Sequence, residues 1–65
     1  MIKQYLTYEQ VAERVALARS TLTRMVRLGQ FPRPVKIGAH HVRFIADEIA
    51  EWQVARESLR TGGGL

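Results

Sequence analysis

Cysteine is absent from this 65-residue sequence, which removes disulfides, thiolate zinc sites and cysteine nucleophiles together and suits a reducing cytoplasm. No charge-free run approaches the roughly 18 residues of a membrane span, and no apolar signal core stands at the N-terminus. The expectation is a soluble cytoplasmic protein with no membrane partner. Acid is missing from the middle of the chain. Between residues 14 and 43 stand Arg14, Arg19, Arg24, Arg27, Arg33, Lys36 and Arg43 without one Asp or Glu, so this stretch carries the whole of the +4 excess. Charge gathered in one segment is the electrostatic footprint of a nucleic-acid binder.

Length sets the next limit. A chain this short buries only about 60% of the surface its unfolded form exposes, so nearly every large apolar residue is needed inside, and a deep catalytic cleft is not expected. Tyr8, Val11, Ala12 and Val15 follow the spacing of one apolar helical stripe. Thr7 and Gln10 form a T-x-x-Q capping box ahead of it, with Leu6 placed to staple that end. Ala16, Leu17 and Ala18 make a short connection to a second helix, Arg19 to Leu28, which buries Leu22, Met25 and Val26 and ends at Gly29. Ser20, Thr23, Arg24 and Arg27 fall opposite that apolar side, with Arg19 and Thr21 on the flanks. No acid on this helix offsets its arginines.

Phe31, Pro32, Arg33 and Pro34 stop the helix and stiffen an extended passage. Val35 and Ile37, then Val42 and Phe44, alternate with Lys36 and Arg43 as two half-buried strands, with Gly38, Ala39, His40 and His41 between them as the turn. The alternation places Lys36 and Arg43 together on the solvent face. Ile45, Ile49 and Trp52 repeat at helical spacing through a third helix, Ala46 to Leu59, with Asp47 and Glu48 in its first turn where the dipole favours negative charge. The expected fold is mainly α with a small β-hairpin, a winged helix-turn-helix in the order α-α-β-β-α. One DNA-binding domain over residues 1–60 is followed by a flexible tail over 61–65.

A helix of this kind fits the major groove, and a two-stranded wing fits the backbone or the adjacent minor groove. The candidate DNA-binding residues are therefore Arg19, Ser20, Thr21, Thr23, Arg24, Arg27, Lys36, His40, His41 and Arg43. Arg24 and Arg27 face the duplex, meeting a guanine edge or phosphate. Adjacent His40 and His41 point to opposite faces of a strand and have no third histidine or cysteine to join them, so no metal site is expected. Ser20 could be set with a histidine and Asp47 as a triad on paper, yet no nucleophile elbow surrounds it, and neither enzyme activity nor a cofactor is expected. Two other classes of function compete. One is a protein-interaction module such as an antirepressor, presenting Glu48, Glu51 and Glu57 of the third helix to a basic partner. The other is an RNA binder, which should expose aromatics for stacking.

Leu6, Val11, Ala12, Arg19, Ser20, Thr21 and Leu22, the run Phe31-Pro32-Arg33-Pro34-Val35-Lys36-Ile37-Gly38, and Val42, Arg43, Phe44, Glu48, Ile49 and Trp52 together resemble the AlpA-like regulators of prophage elements. These are relatives of the MerR-type winged helix and of small phage excisionases. The resemblance spans Tyr5 to Trp52, and the F-P-x-P-V-K-I-G segment is its most distinctive part. It implies a sequence-specific double-stranded DNA-binding protein that regulates transcription or assists site-specific excision, contacting DNA through Arg19, Ser20, Thr21, Arg24, Lys36 and Arg43. Adjacent copies on DNA and a site-specific recombinase are the implied partners. Ala18 departs from the pattern by standing where a Ser or Thr usually caps the recognition helix, and the turn Ala39, His40, His41 is bulkier than usual.

Overall fold

A computed structural model describes residues 3–59. The elements run β1 (Tyr5–Leu6), α1 (Tyr8–Val15), α2 (Arg19–Arg27), β2 (Val35–Lys36), β3 (Val42–Ile45) and α3 (Ala46–Leu59). Three helices and a small antiparallel sheet make a winged helix-like, mainly α fold. Arg60 and the tail expected over 61–65 lie outside the described residues.

The capping box forms as the sequence dictates. The Gln10 amide donates to Thr7 Oγ1 at 3.1 Å, and the Thr7 amide donates to Gln10 Oε1 at 2.9 Å. At the other end of α1, Ala16 sits at φ 60°, ψ 42°. The Leu17 amide there reaches Ala12 O at 3.0 Å and the Ala16 amide reaches Glu13 O at 3.3 Å. That is a Schellman closure made with alanine where glycine is usual. It turns the chain within three residues. The same closure ends α2, with Gly29 at φ 75°, the Gln30 amide on Met25 O and the Gly29 amide on Val26 O.

Helix α2 begins without a side-chain cap. Ala18 has the extended backbone of an N-cap, φ −65° and ψ 148°, but offers no acceptor. Ala18→Ser supplies one, and is expected to stabilise the domain by about 1 kcal/mol. For a domain this small that is a rise of about 4–8 °C in the thermal midpoint followed by circular dichroism. An unchanged midpoint would show that the open amides are already well served by water.

The sheet order is β1-β3-β2, with Tyr5 opposite Ile45, Leu6 opposite Phe44, Val35 opposite Arg43 and Lys36 opposite Val42. The N-terminal strand was not expected, and it makes Phe44 the middle of the sheet. Phe44, Leu22, Ile49 and Val11 are fully buried, and Ala12, Phe31 and Ala46 complete the buried set. Tyr8 and Phe31 meet Phe44 edge-on, with ring centroids at 4.8 and 5.7 Å. Trp52 packs beside Phe31 and donates from Nε1 to Gln30 O at 3.3 Å, which ties α3 to the end of α2.

The register corrects one expectation. Residues directly opposite in an antiparallel pair project from the same face. Val35 therefore shares a face with Arg43, and Lys36 shares the other with Val42, so Lys36 and Arg43 stand on opposite faces of the hairpin and not together. The cause is the length of the connection. The Ile37 amide donates to His41 O at 2.9 Å, which continues the register of Lys36 with Val42 and shortens the turn to Gly38, Ala39 and His40, one residue fewer than expected, with Ile37 half exposed at 50%.

Candidate nucleic-acid interface

The helix-turn-helix brings the first turn of α2 beside the first turn of α1, and β3 carries the hairpin back alongside both. Between them lies an open cleft of about 330 Å³ lined by Thr7, Tyr8, Glu9, Arg19, His40, Val42 and Arg43. Three of the expected site residues, Arg19 of α2, His40 of the turn and Arg43 of β3, thus converge although Arg19 stands more than 20 positions before the other two. Arg43 is half-buried, and its Nη1 donates to Val42 O at 2.8 Å, holding the side chain along its own strand.

Arg19 is the most constrained of the cations. Its Nη1 pairs with Glu9 Oε2, and its guanidinium lies 4.6 Å from the centre of the Tyr8 ring. Tyr8 is in turn seated against Phe44, so the stack reaches from the buried core to the surface. The acid-free character read along the chain is corrected here: α2 carries no acid, yet folding places a carboxylate of α1 against its first arginine. Neither Glu9 nor Tyr8 was expected at the site. The available signal was an acid in the first turn of one helix and an arginine in the first turn of the next, ten positions on across a tight turn.

The other expected residues lie outside the cleft. Ser20, Arg24 and Arg27 are exposed on α2, and Thr21 is half-buried. The Thr23 hydroxyl donates to Arg19 O at 3.0 Å, so its proton is committed to the helix backbone. Lys36 is exposed on the far face of the hairpin. The two histidines part company: His40 lines the cleft, while the His41 ring folds over Gly38, close enough that a Cβ there would meet His41 Cδ2 at 3.2 Å.

The family described as Prophage CP4-57 regulatory protein (AlpA) matches residues 4–57. This chain belongs to the AlpA family. The match covers both helices of the turn, the hairpin and nearly all of α3. Similarity also extends to the uncharacterized protein ORF88 of Enterobacteria phage P4, 30% identical over 61 residues that make up 94% of this chain and 69% of the phage protein. No solved structure matches. Among the described residues no helix is long and apolar enough to cross a membrane. AlpA family membership and the cleft meet on the same segment, since every cleft residue falls within the matched span.

Proposed function

We propose that this AlpA family member is a sequence-specific double-stranded DNA-binding protein, with residues 1–60 acting as one winged helix-turn-helix domain of the MerR type. Helix α2 enters the major groove and the β2–β3 hairpin serves as the wing. The observation that carries this reading is the convergence of Arg19, His40 and Arg43 at one cleft, beside the uncompensated arginines of α2. The split of Lys36 and Arg43 between the two faces of the hairpin supports a wing set into a groove. A ribbon charged on both faces can meet phosphates on both walls. Phe31 and Phe44 are buried, Tyr8 and Trp52 half-buried, and Tyr5 alone of the five aromatics is exposed; one ring offers no platform for successive bases, which disfavours RNA reading by stacking.

In the cytoplasm the protein acts on a prophage or integrative element as an excisionase-like architectural factor. One recognition helix and one wing bury only about 600–1,000 Å² of protein surface. Adjacent copies, and a recombinase bound nearby, supply the remaining discrimination. The test is gel mobility on circularly permuted fragments of the element's attachment region and of its promoters. Several retarded complexes whose mobility depends on site position are expected on attachment DNA. A single unbent complex confined to promoter DNA would leave DNA binding in place and replace excision by plain transcriptional regulation. Absence of salt-dependent binding to either would remove the reading and leave the acidic helix α3 as the interacting element.

A further inference from the structure

Resting on that reading, we infer that Glu9 determines the DNA specificity of this protein by positioning Arg19 to read a guanine edge. Three observations converge on it. Arg19 is gripped on two sides, by the Glu9 carboxylate and by the Tyr8 ring, and Tyr8 is anchored on Phe44. Among the described residues Arg24 and Arg27 have no comparable partner. The Arg19 and Glu9 side chains also remain 55% and 71% exposed. An ion pair that open to water contributes little to folding, so its effect is on where the guanidinium points.

Chemistry separates the two kinds of arginine. A phosphate contact tolerates a mobile cation, because the charge acts in any orientation. A bidentate contact to guanine O6 and N7 demands a fixed planar fork, and an arginine already held loses less freedom on making it. With Nη1 engaged by Glu9, the Nε and Nη2 protons of Arg19 stay available for such a fork. The carboxylate meanwhile offsets the positive charge and repels phosphate, which makes Arg19 a poor backbone clamp. One acid therefore raises affinity for the right sequence and lowers it for all others.

The experiment uses the full chain and two probes: a duplex that the wild-type protein enriches from a randomised library, and a shuffled duplex of the same composition. Glu9→Ala is expected to weaken binding to the enriched duplex about threefold and to tighten binding to the shuffled one about twofold. Arg19→Lys, which keeps the charge but loses the fork, should cost the wild type a similar factor at one guanine position and cost the Glu9→Ala background almost nothing. Glu9→Gln, which removes the charge and keeps the helix turn intact, repeats the pattern if Glu9→Ala disturbs folding. Equal tightening on both duplexes would make Glu9 a simple repulsive charge and overturn the inference, as would no change on either. A library that enriches nothing would remove the proposed function itself, before any variant is compared.

Discussion

Phe44→Ala is expected to destabilise the domain severely, and to unfold it at room temperature if its stability lies at the low end for its size. Phe44 has no exposed surface, sits on the central strand between Leu6 and the wing, and takes the edges of Tyr8 and Phe31. Truncating a buried phenylalanine costs about 3–5 kcal/mol. A domain of this size has about 3–10 kcal/mol in total, so the loss takes from a third to all of it. Thermal unfolding followed by circular dichroism should show no sharp transition, or one lowered by about 15 °C or more. Phe44→Leu, which keeps most of the volume, should retain the transition with a smaller drop. A Phe44→Ala protein melting within about 5 °C of the wild type would contradict the packing described.

The second large effect is on binding. The Arg24→Ala, Arg27→Ala double variant is expected to weaken binding to every duplex alike, by about tenfold or more at moderate salt. It should also reduce the slope of log affinity against log salt by about two, one for each phosphate that is no longer neutralised. Both residues are exposed in the second half of α2, so the melting curve should barely move. The measurement is a salt titration of binding to the enriched and shuffled duplexes. An unchanged slope would mean that this face of α2 does not meet the backbone. The result is the converse of that expected for Glu9, whose removal changes the ratio of the two affinities.

Local chemistry was legible where neighbours in sequence complete it. The capping box needs only Thr7 and Gln10, the end of α2 only Gly29, and the third helix follows the expected bounds from Ala46 to Leu59. Helix α2 ends one residue earlier than expected, at Arg27, because Leu28 serves as its C-cap. What stayed hidden was pairing over long separations. Tyr5 and Leu6 form a strand only because β3 lies 40 positions on; alone, two residues carry no alternation to read. Ile45 fits helical spacing with Ile49, yet it completes β3 opposite Tyr5. The faces of Lys36 and Arg43 depended on a register that the length of the turn sets. In the cleft, Arg19 and Arg43 were legible as cations, whereas Glu9 came to line it only through the angle between two helices.

Strand β3 passes into α3 with no intervening residue, Ile45 being the last of one and Ala46 the first of the other, and the Ala46 amide is fastened to Gln4 O at 2.9 Å. The hairpin and the last helix are one lever without a hinge at this junction. On the proposed reading the wing keeps its inclination to α3, which Trp52 ties to the end of α2, and misfit is absorbed by the duplex. The elastic cost of that accommodation depends on local base-step stiffness and is least at pyrimidine–purine steps such as TA and CA. The preferred sites should then carry such steps at positions that no side chain touches, a preference written in the mechanics of the DNA and not in hydrogen bonds.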